Sequence, residues 1–431
     1  MKNFYSKLLF IGAIALSFYT NHANAQVYAI GSGQTATDVT DDGNIITLNT
    51  SEANFFWSKD EGIQVLNEMP ENVYNVGSPK VSKDGSLIAA SVANPATDIV
   101  EMGLYNLATA TWQYLGSFGQ HLDKVAGSVW DFQPDGSKVV GLIQSKDNNA
   151  HAAVWTKEEG LVDLGSTVEE RFSRINAVSN DGKIYAGWQD GEDGNRQAAY
   201  WEDNKQTIVK GPNDEFVTEF SGVSGDGKWM IGAFGFSASK WSKEEGLITI
   251  NHPNENIFFR GASTATNNDG STIVGYYRGW PGPAAMGEGF IWTKKTGLVN
   301  LNTYVKENLG YDDLGITFAL PLGMSTNGKH IVGLGRTDDA LVSFLITLPD
   351  SDLGTSEVIN TKFEVFPNPT TDIIRIKTKG NLTSSVVYNL QGQIVLKSTK
   401  NEIDVSHLPN GIYILKTLID GKEATKKIIK K

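Results

Sequence analysis

Short apolar stretches alternate with polar turns along most of this chain, and the alternation keeps a steady beat. An apolar stretch, an Asp-Gly or Asn-Gly turn and a second apolar stretch recur seven times, at Asp42-Gly43, Asp84-Gly85, Asp135-Gly136, Asp181-Gly182, Asp226-Gly227, Asp269-Gly270 and Asn327-Gly328. The intervals are 42, 51, 46, 45, 43 and 58 residues. Asn, Asp and Gly are the residues that best tolerate the positive φ angles of a type I′ hairpin. Each turn therefore predicts two antiparallel strands joined by such a hairpin.

A second landmark follows most turns, an aromatic in an apolar run, as at Phe56-Trp57, Val154-Trp155, Lys240-Trp241 and Ile291-Trp292, each with a glycine five residues later. The polar segments between, such as Ser242 to Glu245, read as a second hairpin tip, so each unit holds four short strands. Four-stranded units at a period of 40 to 50 residues predict an all-β, seven-bladed β-propeller, with six or eight blades as the neighbouring counts. The last unit runs out at Ile346–Pro349 after three strands, while the β-prone segment Gln26–Gly31 precedes the first unit and has no partner. It is expected to complete the last blade, which removes two exposed sheet edges.

Units such as Ala177–Gly182, Ile184–Gly187 and Ala198–Trp201, with His151–Trp155 and Gly160–Gly165, resemble the bacterial extracellular HAF repeat over about three hundred residues. That resemblance implies the propeller fold and carries no settled activity. Units one, two and seven depart from it in their third and fourth strands.

Both chain ends read as addresses. A basic start (Lys2, Lys7), an apolar core from Leu8 to Phe18 and the small-residue site Ala23-Asn24-Ala25 form a secretory signal peptide over 1–25, so the mature chain begins near Gln26. The apolar core is too short for a transmembrane segment. The propeller is assigned to 26–349 and a polar linker to 350–362. From 363 to 431, strands alternate with Asn-Pro, Gln-Gly and Asn-Gly turns and predict a small β-sandwich. This region closely resembles the C-terminal sorting domain of type IX secretion substrates, in its Pro367-Asn368-Pro369 opening, its Tyr388-x-x-x-Gly392 middle and its Leu408-Pro-x-Gly411-x-Tyr413 close. The resemblance implies a Gram-negative Bacteroidota source, passage through the periplasm and across the outer membrane, and release or anchoring at the cell surface. The type IX machinery is the implied partner.

Cysteine is absent, which excludes thiolate chemistry and leaves an exported protein held by packing alone. Charge is uneven: the chain carries −12, the signal segment +2 and residues 363–431 eleven basic against six acidic groups, so 26–362 carries −19. Such a body repels nucleic acid and favours cations, neutral glycans or basic proteins.

Catalytic motifs are missing, including the nucleophile elbow, His-Glu-x-x-His and the phosphate loop. His121, His151, His252 and His330 fall in different units without ligand spacing. Ser-x-Asp-Gly at Ser82, Ser179 and Ser224 differs in spacing from the sialidase Asp-box, so these aspartates are expected to cap turns. Calcium is the one cofactor suggested, by oxygen donors at Asp190, Glu192, Asp193 and Asn195, although the order of an EF-hand is lacking.

In a four-stranded blade the repeated turns share one face and the irregular loops share the other. The irregular loops hold Arg171, Arg174, Phe259, Arg260, Tyr277, Arg278 and Trp280, and aromatics with arginine are the usual recognition residues. The leading reading is a monomeric, non-catalytic surface propeller that binds a glycan or a protein there, with Trp280, Tyr277 and Arg278 as a stacking platform. The alternatives are a secreted polysaccharide hydrolase or lyase using Asp190, Glu192 and Asp193, and an adhesive repeat protein.

Overall fold

The computed structural model describes residues 25–71, 73, 76–118, 127–145, 149–349, 363–378, 380–389, 394–419 and 422–431. Residues 1–24, with Ala23 and most of the signal segment, lie outside this set, as do the linker, His121 and Gly392. Two compact units are present, 1–353 and 354–431.

The first unit contains seven four-stranded antiparallel sheets. They span 35–68, 80–114, 127–165, 173–208, 219–250, 259–300 and 317–347 and are numbered one to seven here. In sheet seven the fourth position is filled by Gln26–Ser32, which pairs with Leu341–Thr347 through Val27 to Ile346, Tyr28 to Leu345 and Ala29 to Phe344. The orphan segment closes the last sheet as the repeat's phase requires.

Each Asp-Gly turn joins the first and second strands of its sheet, but its geometry differs from the type I′ expectation. Among the seven turns only the glycine has positive φ, between 68° and 76°. Its N–H bonds the carbonyl three residues back, as from Gly43 to Thr40 at 3.0 Å and from Gly182 to Ser179 at 2.9 Å. This is a type I turn closed by a glycine in the left-handed region, which suits the Asp at the preceding position. In four of the six Asp-Gly turns a serine or threonine two residues before the Asp fixes it: Ser179 Oγ donates to Asp181 Oδ1 at 2.7 Å and accepts from Ile184 N at 3.1 Å. Thr40, Ser82 and Ser224 bond Asp42, Asp84 and Asp226 in the same way. The aspartates therefore cap turns, as the spacing argument expected.

Neighbouring turns are tied to one another. Asp41 N donates to Lys83 O, Asn180 N to Gly225 O, Asp226 N to Asn268 O, Asn268 N to Thr326 O, and Asn327 N back to Asp41 Oδ1, at 2.8 to 3.1 Å. The chain of bonds returns from sheet seven to sheet one. In six of the seven sheets, all but sheet two, the residue five before the turn Asp or Asn bulges out of the first strand, and in four of these its side chain bonds backbone at the start of the next sheet. Thr37 Oγ1 donates to Pro79 O, Asn176 Nδ2 to Phe220 O, Ser221 Oγ to Ser263 O and Thr264 Oγ1 to Pro321 O, at 2.5 to 2.7 Å. Polar side chains thus hold the centre together, while apolar clusters such as Val140, Ile175, Tyr185 and Trp201 fill the space between sheets.

A glycine six residues after the turn makes room for the bulge. A Cβ on Gly141, Gly187 or Gly232 would lie 2.0 Å from the backbone oxygen of Ser128, Arg174 or Glu219, and on Gly275 or Gly333 2.2 Å from that of Ala262 or Leu320. Sheets one and two carry Leu48 and Ala90 at that position. One feature lies outside the all-β expectation, the short helix Leu301–Glu307, capped by Asn300 whose side chain accepts from Asn302 N and Thr303 N.

The second unit contains a three-stranded and a four-stranded sheet that share one apolar core, including Phe363, Ile374, Val387, Tyr413 and Leu415. Its motif residues have structural work: Asn368 donates to Lys427 O at 2.7 Å and accepts from Ile429 N at 2.8 Å, and Tyr413 Oη donates to Pro409 O at 2.8 Å.

Candidate functional site

The first strands of all seven sheets line one channel of about 140 Å³. The residue four before each turn faces it, and that column reads Asp38, Lys80, Asp131, Ala177, Gly222, Ala265 and Gly323. Charge is therefore gathered on sheets one to three, opposite small residues. Asp38 accepts from Val81 N at 3.1 Å and Asp131 from Val178 N at 2.9 Å, each again linking one sheet to the next. Burial raises both carboxyls against the pull of Lys80, Asp131 to about 6. These three residues were missed because each looks like an ordinary strand residue until the repeats are aligned on their turns.

First strands run from the irregular loops toward the repeated turns, and second strands run back. Arg174 lies at the loop end of its first strand, Ser173–Val178. Its guanidinium sits 3.6 Å from the Trp130 ring centroid and 5.1 Å from that of Trp188, and its Nε donates to Asn176 Oδ1 at 2.6 Å. Burial lowers its pKa to about 10, so it stays charged at neutral pH. Arg196 lies 4.1 Å from Trp188 and pairs with Glu219 at 2.5 Å.

Around the loops of sheets five and six, Trp280, Phe236, Ile257 and Phe258 are exposed, Phe258 by 70%. Arg260 lies 5.1 Å from Phe236 and 5.0 Å from Trp280, and Arg278 lies 4.8 Å from Trp280. Trp280 N donates to Phe258 O at 2.8 Å, which holds the two loops together. Arg336 donates to Ala285 O and Gly287 O, and Arg278 to Gly282 O, so both brace the loop that carries Trp280. Exposed aromatic faces beside fixed guanidinium groups can stack on a ring and bond its polar substituents.

The sequence candidates divide. Trp280, Arg260, Arg278 and Arg174 come to the loop face as described. Tyr277 does not: it is 1% exposed, and its hydroxyl donates to Ile250 O at 2.6 Å and Glu255 at 2.9 Å and accepts from Ala238 N. Its ring belongs to the core, so the stacking platform loses this member. Burial also raises its pKa. Phe259 is half-buried and packs on Tyr277 at 5.7 Å and His252 at 5.0 Å. Arg171 donates to Glu192 O at 2.7 Å.

Asp193 spends its carboxylate on the N–H and amide of Asn195, at 3.0 and 2.8 Å, and Asp190 lies in the field of Arg196 and Arg171. Among the described residues no group of three or more His, Asp or Glu is placed to hold a metal. The described histidines of this unit bond within it: His151 Nδ1 lies 3.1 Å from Asp163, His252 Nε2 3.0 Å from Glu288 and His330 Nδ1 3.0 Å from Thr347 Oγ1. Ala25 is bonded through its carbonyl to the Tyr311 hydroxyl at 3.1 Å.

Comparison with known proteins places the C-terminal unit. Residues 364–431 match the family described as the secretion system C-terminal sorting domain, so the chain carries an export tail that directs it to secretion or the cell surface. No helix among the described residues is long and apolar enough to cross a membrane. No curated protein matches the chain. Among solved structures it is similar to an oligogalacturonate lyase from Vibrio parahaemolyticus, at 13% identity over 78% of this chain and 96% of that one, with a TM-score of 0.50. It is also similar to the β-propeller domain of the Trilobed protease from Pyrococcus furiosus, at 12% identity over 73% and 95%, TM-score 0.46. Similarity to TolB from Acinetobacter baumannii covers 63% of each chain at 14% identity and TM-score 0.39, so the chain spans less than two thirds of that protein's length. At such identities the likeness concerns fold, and the first unit is an all-β, propeller-like body.

Proposed function

We propose that the chain is a seven-bladed β-propeller with HAF-type repeats, displayed by or released from a Bacteroidota cell through the type IX system, that binds a glycan on its irregular-loop face. In this reading the tail is a β-sandwich address, and the propeller is the monomeric, non-catalytic payload. The observation that carries the reading is Arg260, fixed between the exposed rings of Phe236 and Trp280. An exposed apolar patch with embedded guanidinium groups is unusual on a body of −19 and has the composition of a recognition site. Neutral pyranose rings present C–H faces to such rings, and their hydroxyls bond Arg.

The test is binding of the full chain to a glycan array, with Trp280→Ala combined with Arg260→Ala as the comparison. The double variant is expected to keep its thermal transition and lose at least a hundredfold in affinity for any glycan bound. Undiminished binding by the folded double variant refutes this site.

A further inference from the structure

Every arginine among residues 25–349 lies at the loop end of a strand or in a loop of that same face. Arg174 and Arg260 are second in their first strands, Arg278 and Arg336 sit at the exits of their second strands, Arg196 opens a third strand, and Arg171 precedes Arg174 in its loop. All six belong to sheets four to seven. Lysines instead mark the repeated turns, as at Lys83, Lys183, Lys228 and Lys329. A charge rule for solubility has no reason to confine arginine to one face while lysine occupies both, the turns at Lys83 and the irregular loops at Lys210 and Lys306, because either one solvates a surface equally well. Guanidinium differs from ammonium in what it recognises, since its planar fork matches a carboxylate in a bidentate pair and stacks on aromatic rings.

The partners of these arginines point the same way. Arg174, Arg196, Arg260 and Arg278 each lie over a tryptophan ring, at 3.6 to 5.0 Å. Of these six, among the described residues, only Arg196 has a carboxylate within ion-pair distance, Glu219. The hydrogen bonds of the others go to neutral oxygens: Asn176 for Arg174, Ile257 O for Arg260, Gly282 O for Arg278, Ala285 O and Gly287 O for Arg336, and Glu192 O for Arg171. Five guanidinium groups are thus held in place without a carboxylate in direct contact, although Asp190 and Asp193 lie in the field of Arg171 and Glu219 in that of Arg174. Such an arrangement leaves donors directed at a ligand that brings its own negative charge.

We infer that the loop face of sheets four to seven receives an acidic glycan, a chain of uronate residues whose ring faces lie on Trp280 and its neighbours and whose carboxylates pair with Arg174, Arg260 and Arg278. The inference rests on the glycan reading above and corrects its electrostatics: the acidic total charge of the unit does not describe this face. Neutral glycans, acidic polypeptides and nucleic acid lack either the ring face or the spacing of carboxylate on ring that tryptophan beside arginine accommodates.

The test uses the full chain and isothermal titration with tetrasaccharides of galacturonate, glucuronate and mannuronate, each beside its carboxyl-reduced neutral counterpart, and with an acidic Glu-rich peptide. The expected result is binding of at least one uronate that weakens tenfold or more on carboxyl reduction and about tenfold between 50 and 200 mM salt. Arg260→Gln and Arg174→Gln should each weaken uronate binding at least tenfold more than they weaken binding of the neutral counterpart. Glu219→Gln, which frees Arg196, should tighten uronate binding severalfold, a gain that a folding defect cannot produce. Equal affinity for uronate and neutral counterpart overturns the acidic inference and leaves the glycan reading standing. Tighter binding of the acidic peptide overturns it in favour of a protein ligand, and binding of none of these saccharides overturns it together with the glycan reading.

Discussion

Gly187→Ala is the perturbation whose size the structure fixes best. A Cβ at this position would lie 2.0 Å from Arg174 O and 3.0 Å from both Arg174 C and Ile175 Cα, all of them backbone atoms. None of these can swing aside as a side-chain tip would. The first strand of sheet four must retreat by more than an ångström, which strains the ladder pairing Ile175 with Gly187 and the cross-sheet bond from Asn176 to Phe220 O. Overpacking costs about 1–3 kcal/mol, and one weakened buried hydrogen bond adds about 1 kcal/mol. Restricting the unfolded chain returns about 0.4–1 kcal/mol. The net expectation is a loss of about 2–3 kcal/mol, read by urea unfolding of the full chain as a lower midpoint at unchanged slope. Gly194→Ala is the control: its φ is +75° and nothing lies within 4 Å, so only backbone strain of about 1 kcal/mol applies. A Gly187→Ala protein within 0.5 kcal/mol of the parent would refute the claim that glycine is required by the bulge, and Leu48 at the same position of sheet one would then be the rule.

Two further outcomes follow from the channel and the closure. Asp131 has a folded pKa of about 6 against 3.8, so the folded state binds the proton more tightly and this contribution to stability is full below pH 3.8 and lost as pH rises through 6. Asp131→Asn should therefore gain roughly 2 kcal/mol on the parent between pH 4 and pH 7, measured as the difference of urea midpoints, and parallel curves would contradict the burial argument. Deleting Gln26–Ser32 removes the buried Val27 and Ile30 and bares the edge of Leu341–Thr347. The expected loss is about 5 kcal/mol with self-association on gel filtration, and a monomer of parental stability would show that closure is dispensable.

Much of the scaffold was readable because hairpin turns use few residue types. The closing strand was also readable, since a unit with three strands and a segment with none imply each other. Turn type was not, because Asp-Gly serves both a type I′ hairpin and a type I turn with a left-handed glycine. The deciding signal was Thr40, Ser82, Ser179 or Ser224 two residues earlier, whose hydroxyls close the longer turn. Tyr277 was misplaced for a related reason. Tyr276 and Tyr277 are adjacent, so they face opposite sides of their strand, and each sheet is covered by a neighbour on both sides; alternation alone does not tell which tyrosine is inside. The helix Leu301–Glu307 carried the weak signal of an asparagine before an apolar run.

The glycine column and the arginines are connected. The glycine six residues after the turn is present in sheets three to seven and absent from sheets one and two, and the arginines occupy sheets four to seven. In sheets four and five the carbonyl nearest that glycine belongs to Arg174 and to Glu219, and the Glu219 side chain pairs with Arg196 at the loop face. The bulge and its glycine set where the first strand's loop end lies, and so set the height of Arg174 above Trp130. Sheets one and two carry Asp38 and Lys80 in the channel, where cross-sheet bonds to backbone fix them, and sheet three carries Asp131 there beside its own glycine, Gly141. A repeated scaffold has thus been divided into an arc that closes the ring through charged channel residues and an arc that holds guanidinium groups at one register. Loss of a glycine in the second arc should therefore reach the loop face as well as the core: Gly187→Ala, moving Arg174 O, is expected to weaken anionic ligand binding in proportion to its stability loss, whereas Gly194→Ala is not.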